Sequence, residues 1–301
     1  MRTSRDDFVD RIVEIERLNT ALHAEGFEKE SLVLMHGQRG IGKTQLLARF
    51  LRICRANNIS ITYIDLPGKD YLGIIDKIEE DLGPRGFESL EQTYTDVILR
   101  AQVIRGQAAL DNLAQPNSPT AQSTTAGFTF NGAVTADTQN FINGNVTYKN
   151  PQITNIFNIE LGEPQQVKKL SERKITQSFY ECLRTITQEH TIAILLDHWE
   201  DTNEPLKIWL HDHLLSWVSE LSLKKALVVL CREALPQELE NQTGILSLGI
   251  PEFPREVALE YWRKNDLPEA AFEELTSEIY SIPRILALEV DRRKQILKIS
   301  R

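Results

Sequence analysis

Leu32-Val-Leu-Met-His-Gly37-Gln-Arg-Gly40-Ile-Gly42-Lys43-Thr44 runs from a short apolar segment straight into a glycine-rich turn. Gln45 to Ala56 follows with Leu46, Leu47, Phe50, Leu51 and Cys54 at helical spacing. Strand, glycine-rich loop, helix is the order that a polyphosphate-gripping loop requires, and Gly37–Thr44 fits G-x-x-x-x-G-K-[ST]. Glycines let the main chain wrap closely with its N–H groups turned inward, and the helix N-terminus behind them presents partial positive charge. Lys43 is placed to neutralise the β- and γ-phosphates, and the Thr44 hydroxyl to ligate Mg²⁺. Average composition would produce this pattern by chance in roughly one chain of this length in a hundred. The reading makes Gly37, Gln38, Arg39, Gly40, Ile41, Gly42, Lys43, Thr44 and Gln45 the nucleotide-holding segment.

Outward from this loop, further apolar runs appear at Ile59–Asp65, Thr191–Leu196, Ala226–Cys231 and, more weakly, Ile245–Leu248. Helical patterns separate them, notably Val167–His190 and Leu206–Leu223, and Phe8–Leu22 reads as an amphipathic entry helix. Strands apolar on both faces and alternating with helices predict a parallel sheet covered on both sides, a three-layer α/β P-loop domain. Asp197 ends one apolar strand, where a carboxylate at the sheet edge can hold Mg²⁺ through water. An acidic residue directly after such an aspartate is the usual candidate for polarising the attacking water, but here His198 occupies that place. Glu200 is the preferred replacement and Asp201 the second, so hydrolysis is expected to be slow. Arg232 closes another strand and, as a guanidinium fork, suits the γ-phosphate. His211 and His213 stand two apart in a helical pattern, on different faces, and read as polar helix surface rather than metal ligands. Trp199, Trp209, Trp217 and Trp262 read as core or subdomain-contact residues.

Residues 1–250 are expected to form the P-loop core and 251–301 a small helical subdomain, with helices at Glu256–Lys264, Pro268–Tyr280 and Pro283–Ile299. Within the core, Gln115–Leu161 carries only Asp137, Lys149 and Glu160 as charged residues and is dominated by Thr, Asn, Gln, Gly and Ala. Asn131-Gly132 and Asn143-Gly144 are hairpin-type turn signals. The segment reads as a β-prone or loosely ordered insertion, able to supply a self-association surface. The whole chain, 301 residues with 41% hydrophobic and 26% charged, has ordinary globular composition and a net charge of −9. That charge argues against whole-surface attraction to nucleic acid or anionic membrane. Three scattered cysteines, no apolar signal core and no run near the roughly 20 residues of a membrane span point to a reducing cytoplasm.

Taken together, Phe8-Val-Asp-Arg11 with Glu14 and Leu18, the loop Gly37–Thr44, the strand Ile192–Asp197, Arg232 and Tyr280-Ser-Ile-Pro283 resemble the ordered motifs of STAND-class (signal-transducing) P-loop ATPases. NACHT and AP-ATPase domains and origin-recognition-like AAA+ ATPases are relatives of that class. The chain departs from the pattern at Asp10 and Ser281, where glycine is usual. The resemblance implies an ATPase with a helical lid, ATP or ADP and Mg²⁺ as ligands, Pro283 on the adenine side, and Val9-Asp10-Arg11 lining the base pocket. It implies a nucleotide-controlled switch: self-association on ATP binding, or engagement of a protein effector, with bacterial defence as one setting. The alternative is an AAA+-like ATPase acting on nucleic acid through a basic C-terminal face of Arg292, Arg293, Lys294 and Lys298.

Overall fold

In the computed structural model, residues 11–24, 30–113, 165–220, 223–235 and 244–299 are described. Val9 and Asp10 and the expected insertion at 115–161 lie outside them. The chain divides into two compact units, one made of Met1–Gly86 with Tyr180–Arg301, the other of Phe87–Phe179.

The first unit is built on five parallel strands: β1 (Leu32–His36), β2 (Ser60–Asp65), β3 (Ile192–Asp197), β4 (Ala226–Arg232) and β5 (Ile245–Gly249). Their order is β2-β3-β4-β1-β5. Pairing aligns His36 with Arg232 and with Gly249, and Asp65 with Asp197, so these residues share the carboxyl edge. Leaving β1, the chain crosses to the far edge at β2; leaving β4, it crosses the other way to β5. The crevice between the carboxyl ends of β1 and β4 is thus a topological switch point, where open α/β sheets take their ligands.

Both faces of the sheet are covered. Val33, Met35, Ala193, Leu195, Leu227 and Val229 share one core with Leu18, Ala21 and Leu22 of α1 (Ile12–His23) and Leu46, Leu47 and Phe50 of α2 (Lys43–Ala56). On the opposite face, the Thr62 hydroxyl donates to Asp81 at 2.6 Å and ties β2 to α3 (Tyr71–Leu82). The alternation is the strand period of two, with every residue from Ile192 to Asp197 buried because helices lie on both sides. This is the expected three-layer α/β arrangement.

Two helices not read from the sequence precede the charge-poor stretch. Helix α3 starts at Asp70, whose carboxylate accepts from the Gly73 N–H at 2.9 Å, and stops at Gly83 with φ 90°. Helix α4 (Glu88–Leu113) lies in the second unit, and α5 (Gln165–Glu189) runs from that unit back into the first. Within the second unit Phe87 stacks on Phe179, ring centroids 6.3 Å apart, and the Thr93 hydroxyl donates to Ser178.

The helical pattern at Leu206–Leu223 is interrupted in the structure. Helix α6 (Glu204–Trp209) passes into a π-helical stretch, Leu210–Leu215, and resumes as α7 (Ser216–Ser219). The π turn seats the His213 ring between Trp209 and Trp217, 5.8 and 5.7 Å from their centroids. After β5 come α8 (Arg255–Lys264), α9 (Glu269–Phe272), α10 (Ser277–Tyr280) and α11 (Pro283–Ile299). The single helix expected over Pro268–Tyr280 is therefore two short ones. The chain folds around Phe272, whose ring packs on Trp262 at 5.7 Å and Tyr280 at 5.8 Å. Continuous helix cannot present one side chain to both partners. Trp209 and Trp262 are buried, in line with a core role. Among the described residues, no helix is long and apolar enough to cross a membrane.

Candidate functional site

The loop between β1 and α2 turns on three glycines with positive φ: Gly37 (155°), Gly40 (86°) and Gly42 (102°). Gly42 is the left-handed N-cap of α2, conformations that side chains resist by about 1–2 kcal/mol. At Gly37 a Cβ would sit 3.0 Å from the Ile250 carbonyl, so the loop also needs glycine for close approach. Ile41 is buried and pins the middle of the loop to the α1–α2 side of the core. The Lys43 ammonium curls back over the loop, donating to the carbonyls of Gly37 at 2.6 Å and Gln38 at 3.2 Å. Its charge therefore sits inside the turn of the loop, and Thr44 and Gln45 occupy the first turn of α2.

Asp197 ends β3 fully buried, yet both carboxylate oxygens are engaged. Oδ1 accepts from the His198 main-chain N–H at 2.9 Å, and Oδ2 accepts from the Tyr63 hydroxyl at 3.1 Å. Burial, then the neighbouring Asp197 charge, pushes the Tyr63 phenol well above its ordinary value. Cys231 on β4 is likewise pushed up, chiefly by burial and then by Asp197, with Lys43 opposing. The thiol thus lies where the loop's cation and the strand-end carboxylate both reach. Strands pack about 4.8 Å apart, so with β4 between them the ends of β1 and β3 stand about 10 Å apart, room for a phosphate and its cation.

Beyond Asp197 the chain turns left-handed at His198 (φ 59°) into a short 3₁₀ turn, Trp199–Asp201. Asp201 pairs with Arg39 of the loop at 3.0 Å, which brings this turn against the glycine loop. Glu200 Oε1 accepts from the Glu233 N–H at 2.6 Å and anchors the turn to the end of β4. Arg232 lies over the Trp199 ring, 5.8 Å from its centroid. The His198 Nδ1 lies 2.8 Å from Asp65 Oδ1, which accepts. Of the two histidines read as helix surface, His211 reaches Asp212 and His213 lies among aromatic rings.

The C-terminal helices meet the loop directly. The Arg284 N–H donates to the Gly40 carbonyl at 3.2 Å, one residue after Pro283 opens α11, and Gln38 donates to Glu252 at 2.8 Å. Arg11 is buried. Its guanidinium donates to Glu14 at 3.1 Å and to the Pro251 carbonyl at 2.7 Å, and lies 5.0 Å from the Phe253 ring centroid. Tyr63, Asp65 and Arg284 belong to this edge although no local motif marks them; only strand register or a distant helix brings them in.

No protein-family model matches the chain, and no curated protein does. Among solved structures, a Signal Transduction ATPase with Numerous Domains (STAND) protein with a tetratricopeptide repeat sensor, from Pyrococcus horikoshii, aligns at 12% identity with a TM-score of 0.37. The alignment covers 93% of this chain and 28% of that one, so the chain spans under a third of that protein's length.

Proposed function

We propose that this chain binds a nucleoside triphosphate with Mg²⁺ at the carboxyl edge of its sheet, hydrolyses it slowly, and acts as a nucleotide-controlled switch. One observation carries the reading: a loop turning on three positive-φ glycines at the switch point of a parallel sheet, with the Lys43 ammonium folded inside it. An ammonium that, among the described residues, is hydrogen-bonded by two loop carbonyls is a cation that a β/γ-phosphate displaces onto itself with little rearrangement. The loop from Gly37 to Gln45 would hold the phosphates, with its main-chain N–H groups as donors. The Thr44 hydroxyl and Asp197 fit Mg²⁺, since Asp197 is a buried carboxylate oriented by two donors at the same edge. That cation would neutralise charge between the β- and γ-phosphates. Arg232 would face the γ-phosphate, and Glu200 or Asp201 would stand nearby. Pro283 would border the base, while Arg11 with Val9 would support that side of the pocket.

In the switch reading, residues 1–250 are the P-loop core and 251–301 a lid that rests on the loop through Arg284 and Glu252. A triphosphate would alter those contacts and favour self-association or an effector-binding form, in the manner of STAND-class ATPases, in a cytoplasmic setting such as bacterial defence. Action on nucleic acid finds less support. Arg292 and Arg293 of the expected basic face are paired with Glu289 and Glu274, and Lys294 donates to Asn265.

Calorimetric titration with ATP–Mg²⁺ tests the site. The wild type is expected to bind and Lys43→Ala to bind roughly 100-fold more weakly, the loss of a charge-assisted contact. Absence of heat from the wild type with any nucleoside triphosphate would overturn the proposal.

A further inference from the structure

We propose that the groove between α4 and α5, in the second unit, is a site for a small zwitterion of the α-amino acid or dipeptide class. The two helices run antiparallel. Phe87 stacks on Phe179, Thr93 meets Ser178 at 3.0 Å, and Asp96 and Val97 then share the groove with Lys174. Thr93, Asp96 and Val97 on α4, with Lys174, Gln177 and Ser178 on α5, line a cavity of about 270 Å³. Each triplet follows the i, i+3, i+4 spacing that places side chains on one face of a helix, so the groove follows the seam of the pair. All six residues belong to the second unit, and the site is independent of the glycine loop.

Charge selects the ligand. Asp96 and Lys174 stand about one helical turn, roughly 5 Å, beyond the Thr93–Ser178 bridge, one on each wall. No ion pair joins them. Among the described residues, Asp96 accepts only from Gln92 Nε2, at 3.4 Å on Oδ1, and Lys174 has no ionic or hydrogen-bonding partner. A lone anion drawn to Lys174 would meet the Asp96 carboxylate, and a lone cation drawn to Asp96 would meet the ammonium. One carboxylate is also too few for a hard cation such as Ca²⁺, which takes about 6–8 oxygens. A molecule that carries both charges satisfies both walls at once.

Geometry and size narrow the class further. Packed helix axes lie about 8–10 Å apart, a span that an ammonium and a carboxylate a few ångströms from each other can bridge. The ligand ammonium donates to Asp96 Oδ2, the oxygen that Gln92 leaves open, and its carboxylate accepts from Lys174 Nζ. Val97, 4% exposed, forms an apolar floor beneath the two charges, which suits a short aliphatic side chain. The cavity falls just below the roughly 300–1,000 Å³ of sites for drug-sized ligands, so it is small for a nucleotide and matches an amino acid or dipeptide. Asp96 and Lys174 are both exposed, so solvent screens each contact and the affinity is modest.

Titration of the ¹⁵N-labelled full chain at pH 7, read at the backbone amides of Thr93, Val97 and Ser178, tests the site. The probes are L-leucine, glycylglycine, N-acetyl-L-leucine, which lacks the ammonium, and L-leucinamide, which lacks the carboxylate. L-leucine or glycylglycine should shift these amides saturably, with half-saturation near about 1 mM, and each capped probe should bind about tenfold more weakly. Asp96→Asn should erase the preference for leucine over its N-acetyl form, and Lys174→Gln the preference for leucine over its amide. The remaining amide signals report that both variants stay folded. No saturable shift from either zwitterion up to about 20 mM overturns the proposal. So do equal shifts from charged and capped probes, or preferences that survive in both variants. None of these outcomes bears on nucleotide binding at the glycine loop, which Lys43→Ala tests separately.

Discussion

Tyr63 and Asp197 are 134 positions apart in sequence and 3.1 Å apart in space. The hydroxyl satisfies one oxygen of a buried carboxylate, where an unmet acceptor costs about 1–3 kcal/mol. Tyr63→Phe keeps the ring and removes only that donor. It is expected to lower stability by about 1–2 kcal/mol in urea unfolding, and to weaken nucleotide binding more with Mg²⁺ present than with Mg²⁺ chelated. Equal weakening in both conditions would mean that Tyr63 supports packing and not the orientation of Asp197. The contrast with Lys43 shows what a sequence transmits. Lys43 and its glycines are neighbours along the chain, so their spacing alone specifies a loop. Tyr63 and Asp65 acquire their partners only through the register of β2 on β3, which no local pattern encodes.

Helix α1 is joined to the glycine loop by one buried cation, Arg11, which donates to the Ile41 carbonyl at 3.5 Å. Arg11 spans Glu14, the Pro251 carbonyl and the Phe253 ring, with only 4% of its surface exposed. Arg11→Met would leave Glu14 buried beside no positive charge, a change expected to cost about 3–5 kcal/mol. Glu14→Gln added to it should restore much of the loss, which chemical denaturation of the single and double variants measures. Additive losses would show that the two residues act separately. A second ion cluster belongs to α11, where hydrogen bonds from Arg292, and then Arg293, hold the Glu289 carboxyl near 2, below its ordinary 4.5. A depressed carboxylate contributes stability above its unfolded value and loses it as pH falls towards the folded one. The stability gap between wild type and Glu289→Gln should therefore be full at pH 6 and shrink between about pH 4.5 and 2; a gap independent of pH would refute the coupling. Elements with a regular apolar period, such as β3 and α2, were legible because burial writes that period into composition. The break after Phe272 and the π turn at Leu210–Leu215 were not, since the ring packing of Phe272 on Trp262 and of His213 on Trp209 and Trp217 leaves no mark on an apolar period. Helix α3 did carry readable signals in Asp70 and Gly83.

At the scale of the first unit, two contacts tie the glycine loop to the segments that follow β5, Gly40 to Arg284 and Gln38 to Glu252, and Arg11 at the start of α1 adds a third anchor on Pro251. The first two use groups of the loop itself, so a ligand that reshapes the loop must change the free energy of the C-terminal helices' contact with it. Self-association driven by that change would work against a net charge of −9 on each copy and must draw on apolar surface. Ile12 and Val13 of α1 and Ile285 and Leu288 of α11 are exposed, and each pair lies close in sequence to a residue that contacts the loop. A ligand shifts such an equilibrium only by its difference in affinity for the two forms, about 5.5 kcal/mol for a change from 1:99 to 99:1. Sedimentation velocity with Mg²⁺ and either ADP, ATP or a non-hydrolysable triphosphate reads that difference directly. The expected result is a larger species with the non-hydrolysable triphosphate, a transient one with ATP, and none with ADP or in Lys43→Ala. Gln38→Ala should form the larger species at lower triphosphate concentration, because one contact opposing the change has been removed. Indistinguishable profiles under all conditions would show that the loop and the C-terminal helices are joined statically, and that nucleotide binding, if retained, serves no switch of this kind.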